Sequence, residues 1–174
     1  MSRRTRRRFL TDAVALAGTA WVGNTVRGSG NVSAKIADIE TYAVTYPTKG
    51  RFKFFENAKG EPVGRQTVVV KITADDGTAG WGQSVPTHKW SYETLESVQT
   101  SIDHYLKPVL IGKSVDDAEA INRAMETIIA PSFSTGQPIC KAGIDLALFD
   151  LTGRLTGQSA RRRWNRKGKD KVLL

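Results

Sequence analysis

Hydrophobic and polar positions divide the chain into a run of extended segments followed by a run of helical ones. Residues 35–47, KIADIETYAVTYP, are rich in β-branched and aromatic side chains and stop at a proline, which predicts a first strand with imperfect alternation. Residues 66–84, QTVVVKITADDGTAGWGQS, predict a hairpin of strand 67–73, turn Asp75-Asp76-Gly77 and return strand 78–83, with Asp-Gly supplying the positive φ values of a tight turn. Between them, residues 48–65 carry neither a period of 2 nor one of 3.6 and predict a long loop, which in a compact domain is functional or disordered.

A short loop at 85–90 leads to three helices. The first is expected to open near Ser91 and Thr94, with Tyr92, Leu95, Val98, Ile102, Tyr105 and Val109 as one apolar stripe. The second begins at Ser114 with Asp116 and Asp117 in its first turn; Ala118, Ile121, Met125, Ile128 and Ile129 form its expected buried face, and Pro131 ends it. In the third, Ile144, Leu148, Leu151 and Leu155 make one stripe and Ile139, Ala142, Leu146 and Phe149 another beside it, so packing on several sides is expected. Strands first and helices after them make the fold class α+β: a three-stranded antiparallel meander followed by three helices.

The 174 residues are 40% hydrophobic and 25% charged, which fits one globular core. A formal charge of +9 suggests nucleic-acid binding until its distribution is considered. Residues 1–34 hold six basic and one acidic side chains, 160–174 hold seven and one, and 35–159 hold thirteen and fifteen. The excess is confined to the ends, and a nearly neutral body argues against a groove for phosphates, so no nucleic-acid partner is expected. A single cysteine excludes an intrachain disulfide; Cys140, in the apolar run PIC, is expected to be a buried structural thiol.

The first 34 residues have the layout of an export signal: an arginine cluster, an apolar run from 9 to 22 rich in small residues, and a polar stretch. Within TRRRFL, Arg6 and Arg7 followed by Phe9 and Leu10 resemble a twin-arginine signal, which implies export to the periplasm or beyond. The apolar run is too short for a permanent membrane anchor. Cleavage is expected after Ala34, with Ala20 as the alternative.

Chemical motifs are few. HExxH, GxGxxG, GxxxxGK[ST], GxSxG and paired metal-binding cysteines are all absent, so no catalytic residue and no metal ligand is assigned. His104 is expected on the polar side of the first helix; His88, in a loop beside Trp90, is either a ligand contact or a solvated side chain. Asp145 and Asp150, five residues apart, point about 140° from one another on a helix and cannot share a proton or a metal. Asp150 is expected to anchor a neighbouring element.

AGIDLALFDLTGRLTGQ, residues 142–158, resembles the A-x-D-x-A-L-x-D-L-x-G-x-x-x-G helix that ends the amino-terminal capping domain in the mandelate racemase and muconate lactonizing enzyme branch of the enolase superfamily. The opening KIADIETYAV, the hairpin with its DG-x-x-G-W-G signature and the helices leading to YLKPVLIGKS agree in order, so the likeness covers residues 35–159. Gln83 stands where the family often has Glu after GWG, and ARRRWNRKGKDKVLL replaces the usual P-x-x-x-L-L-G-G lead into a barrel.

The resemblance implies a two-part enzyme. The cap supplies two mobile loops over the substrate, and a separate (β/α) barrel supplies the Mg²⁺ ligands and the bases that remove a proton α to a carboxylate. Carried over by position, the loops are residues 46–65 and 84–90, with Tyr46, Phe54, Phe55, His88 and Trp90 as candidates for shaping the pocket and excluding water. Packing of the Phe pair within its own loop is equally open.

The expected organisation is an export signal and linker at 1–34, an enolase-like N-terminal capping domain at 35–159, and at 160–174 a basic linker with the start of an absent barrel. The resemblance therefore implies a fragment that is inactive alone and holds no cofactor of its own, although the full-length family uses Mg²⁺. Its partners would be the missing barrel or a full-length homologue, with a small carboxylate as the parent substrate and homo-oligomers frequent in the family. One apolar face is expected to lie uncovered. The alternative is a stand-alone binding or regulatory module that reuses the capping fold.

Overall fold

The computed structural model describes residues 32–49, 56–89, 91–132 and 135–164. Strands β1 (Ile36–Tyr46), β2 (Arg65–Ala74) and β3 (Ala79–Ser84) form one antiparallel sheet in the order β1-β2-β3. The register pairs Ile39 with Ile72, Val44 with Thr67, and Val70 with Gly82. A shift between Ile36 and Asp38 explains the broken alternation of the first strand, because it lets Ile36 and Ile39, three residues apart, both face the core. In the β2–β3 turn only Gly77 takes a positive φ, +83°, and Thr78 N–H donates to the Asp76 carboxylate. The Asp-Gly pair thus contributes one left-handed residue to the turn, where two were expected.

The first helical segment runs continuously through α1 (Leu95–Thr100), a π-helical turn (Ser101–Leu106) and α2 (Lys107–Leu110). Thr94 caps it through a reciprocal box with Ser97. The helix therefore starts after Ser91, and Tyr92, expected on the apolar stripe, is 89% exposed. Val98, Ile102, Leu106 and Leu110 are all fully buried at intervals of four. On an α-helix such a row advances about 40° per step and leaves its face. A π turn, with about 4.4 residues per turn, swings it back. The same turn carries Tyr105 out to solvent and puts Leu106 in its place, contrary to the α-helical periodicity.

Helix α3 (Ala118–Ile128) is capped by the Asp117 side chain, which accepts from Ala120 N–H, and it buries Ile121 and Met125 against the core. Ala118 and Ile128, expected on its buried face, are exposed. Helix α4 (Pro138–Thr156) ends at Gly157, whose φ of +64° closes a Schellman turn in which Gln158 N–H donates to Gly153 O and Gly157 N–H to Arg154 O.

The sheet and α4 are held together by the absence of side chains. A Cβ added to Gly82 would fall inside van der Waals contact of the Gly143 and Ala147 backbone, and one on Gly80 would strike Ala147 and Leu151. A Cβ on Gly143 would strike the Ser84 hydroxyl. The Gly-Trp-Gly of β3 and the small residues of α4 are therefore two sides of one backbone-to-backbone contact. At the sheet edge the Asp150 carboxylate accepts from Trp81 N–H (2.9 Å) and from Arg154 Nε (2.8 Å), the anchoring role expected of it. The second apolar stripe of α4 is not enclosed among the described residues: Ala142 and Leu146 are exposed.

The last described element is α5 (Ala160–Trp164), where Arg163 donates to Phe149 O (2.8 Å) and lies over the Phe149 ring. On the outer sheet face Tyr42 and Trp81 meet at 6.3 Å between ring centroids, next to the Lys71–Glu40 ion pair. Tyr42, Val44 and Trp81 are exposed there. Among the described residues no (β/α) barrel is present, and no helix is long and apolar enough to cross a membrane.

Candidate functional site

The two loops singled out in the sequence meet. Val63 and Gly64 from the first, Pro86, Thr87, His88 and Lys89 from the second, and Thr45 and Gln66 from the adjoining ends of β1 and β2 line one cleft of about 210 Å³. The first loop returns to the sheet through a small hairpin. Asn57 N–H donates to Glu61 O, the Asn57 side-chain oxygen accepts from Lys59 and Glu61 N–H, and Gly60 makes the left-handed corner. Gly64, at φ +82°, then brings the chain so close to Tyr46 O that a Cβ would stand 2.8 Å from it. A side chain there would push the loop off β1 and open the cleft wall. Lys89 Nζ donates to Glu56 O (3.2 Å), tying the second loop to the first.

The second loop is fixed from behind. Ser91 N–H donates to Thr87 O (2.8 Å), and the Ser91 hydroxyl lies 3.0 Å from the same oxygen, which holds Ser91 against Thr87. Two residues on, the Glu93 carboxylate is only 3% exposed and accepts from Ile139 N–H (2.8 Å) and Cys140 N–H (2.6 Å) in the first turn of α4. Helix α4 needs this partner: its N-cap, Gln137, offers no side-chain bond, and Pro138 at the first turn has no N–H. Burial pushes the neighbouring Cys140 thiol up to about 12, with the Glu93 charge adding to the effect, so it remains protonated as the structural thiol expected.

His88 is exposed and lines the cleft. Tyr46 does not: it stands on the outer face of the sheet, where its hydroxyl accepts from Gln83 Nε2 (3.4 Å), and Thr45 takes the place on the cleft side. Phe54, Phe55 and Trp90 lie outside the described residues, as do Arg6, Arg7, Phe9 and Leu10. Sequence reasoning missed Glu93 and the lining by Thr45 and Gln66, which lie just outside the two loops, and within the loops it did not single out Val63, Gly64 or Lys89. For Glu93 a signal existed in GQPIC, a helix start without a capping residue, which demands an acceptor from elsewhere in the fold.

Chemically, the cleft offers one ammonium, one imidazole, an amide and two apolar walls, a set suited to holding an anion with an apolar body. Among the described residues no three His, Cys, Asp or Glu side chains come together to hold a metal ion.

Residues 40–161 match the model of the mandelate racemase / muconate lactonizing enzyme, N-terminal domain. The L-Ala-D/L-Glu epimerase of Bacillus subtilis is 33% identical over 123 residues, which is 71% of this chain and 31% of that protein. The N-succinyl-L-Arg/Lys racemase of Bacillus cereus is 32% identical over 124 residues, with the same coverage. Its crystal structure superimposes with a TM-score of 0.58 over 69% of this chain and 30% of that one. Muconate cycloisomerase 1 of Rhodococcus opacus is 28% identical over 70% of this chain and 31% of its own length. The chain thus spans about a third of the length of the curated relatives it matches.

Proposed function

The chain belongs to the mandelate racemase and muconate lactonizing enzyme family through its N-terminal domain, and on that premise we propose that it is the specificity cap of an isomerase-type enzyme acting on a small carboxylate. The cleft carries this reading, because two loops distant in sequence join there and place Lys89 and His88 beside Val63 and Pro86. The relatives' names support the class: an Ala-Glu unit, an N-succinyl amino acid and muconate all bear carboxylates beside a less polar body.

In the parent reaction a proton would be removed α to that carboxylate with the assistance of Mg²⁺. The described residues do not fit the ion, since no three suitable ligands converge. Metal ligands and bases would come from a barrel domain, while this chain binds, orients and excludes water. On this reading the 174-residue chain alone is inactive.

Hydrogen–deuterium exchange at Cα tests both parts. The chain alone, given Mg²⁺ and an N-succinyl amino acid or a dipeptide in D₂O, should wash in no deuterium. Residues 32–164 fused ahead of the remaining length of the Bacillus cereus racemase should support exchange. Exchange by the chain alone would refute the reading, as would a fused enzyme indifferent to His88→Ala and Lys89→Ala.

We also propose export by the twin-arginine route, supported by Arg6-Arg7 and Phe9-Leu10 ahead of a short apolar run. A folded reporter carrying residues 1–34 should leave the cytoplasm, and changing both arginines to lysine should hold it back.

A further inference from the structure

Residues 32–36, at the end of the leader region, are built into the domain. Val32 and Ala34 pack against the hydrophobic core. Ala34 O accepts from Val115 N–H (3.0 Å), Lys35 pairs with Ser114 in an antiparallel bridge, Ile36 N–H donates to Lys113 O (2.9 Å), and Gly112 N–H donates to Ile36 O (2.8 Å). On the other side Lys35 N–H donates to the Asp75 carboxylate (3.2 Å) and Asp75 N–H to Lys35 O (3.0 Å). The peptide bond between residues 34 and 35 is therefore clasped between the 112–115 segment and the β2–β3 turn.

A peptidase must draw several residues around the scissile bond into its own active site in extended form. A bond whose flanking residues are hydrogen-bonded into a fold is cut only when that segment opens. Cutting after Ala34 would also release Val32 and Ala34 from the apolar surface they cover and leave the amide of buried Val115 without its acceptor. A passenger that crosses the membrane already folded presents this bond closed.

We propose that leader processing falls N-terminal to Val32, so that residues 32–35 remain in the mature protein as a structural strand; this rests on the export reading above. The small residues Gly18 and Ala20 then mark the cut. An export peptidase would hydrolyse the Ala20–Trp21 bond, water adding across it to leave a carboxylate on the leader and a free amine on Trp21.

The test is intact-mass and N-terminal analysis of the chain expressed at full length and recovered outside the cytoplasm. A first residue no earlier than Trp21, the product of a cut after Ala20, and no later than Val32 is the expected result; a first residue at Ser33 or later overturns the proposal, as does an exported chain that still carries residues 1–20. If the chain is neither exported nor processed, the export reading fails, and hydrogen exchange of the full chain decides whether the strand exists. The Val115 amide should then exchange at least about 100-fold more slowly than in an unstructured peptide. Exchange at the unstructured rate would mean that Ala34 is not docked, and the proposal falls.

Discussion

Replacing Glu93 removes a buried carboxylate that carries the start of α4. Its two oxygens serve Ile139 N–H and Cys140 N–H at 2.8 and 2.6 Å, and the side chain is almost wholly out of water. Glu93→Ala leaves both donors without an acceptor, at roughly 1–3 kcal/mol each where water does not reach, and forfeits the charge's interaction with the helix terminus, about 0.3–1 kcal/mol. Against this stands the relieved desolvation of the carboxylate, so the net loss is about 3–4 kcal/mol. Glu93→Gln keeps one acceptor but turns an NH₂ toward the other N–H, and should cost about 2 kcal/mol. Urea unfolding followed by tryptophan emission measures both, and the midpoint should fall with an unchanged slope. The Ser91 amide, two residues from this anchor and bonded to Thr87 O, should also lose protection against exchange before the sheet does. Glu119→Gln, which loses only an exposed i,i+4 pair with Arg123 and a first-turn charge on α3, serves as control and should cost no more than about 1 kcal/mol. If both Glu93 variants unfold with the control, the carboxylate is not what holds the start of α4, and the argument fails.

Gly82→Ala should destabilise the domain by about 3 kcal/mol or more, because the new Cβ meets the backbone of Gly143 and Ala147 and neither element can yield locally; thermal melting reads the loss. Cys140 should resist thiol reagents at pH 8 and react only on unfolding. Its pKa is raised from the ordinary 9.0 to about 12, so the stability tied to the neutral thiol is whole below pH 9 and is lost as pH rises from 9 towards 12; Cys140→Ala should flatten that limb of a pH–melting curve. Hydrogen bonding from Lys107 holds the Asp38 carboxyl below its usual range, a contribution present above the ordinary carboxylate pKa and lost as pH falls through the lowered value. The melting curve of Asp38→Asn should therefore be flatter on the acid side.

Much of the fold was legible because it rests on local period and turn chemistry. The apolar runs of β1 and β2, the Asp-Gly turn, the helical stripes and the described parts of the loops at 48–65 and 85–90 can each be read from a few neighbouring residues. Reading failed wherever a distant group intervened. Tyr105 and Leu106 exchanged places because a π turn altered the helical period. Glu93 was passed over because its two partners lie 46 and 47 residues away. Tyr46 was assigned to the cleft and Thr45 was not, since which face of a strand looks inward depends on the register with β2 and on where Gly64 brings the first loop back.

The sequence alone determined the kinds of element, their order and the two segments too irregular to be anything but loops, because propensity and hydrophobic period act over one or two turns of chain. Tertiary structure alone decided that these two loops close one cleft, that the glycines of β3 answer the small residues of α4, and that Val32 and Ala34 pack on the core while Ala34 and Ile36 hydrogen-bond to the 112–115 segment. Each of those outcomes depends on backbones meeting at van der Waals or hydrogen-bond distance across dozens of residues, a condition that no local pattern of side chains encodes.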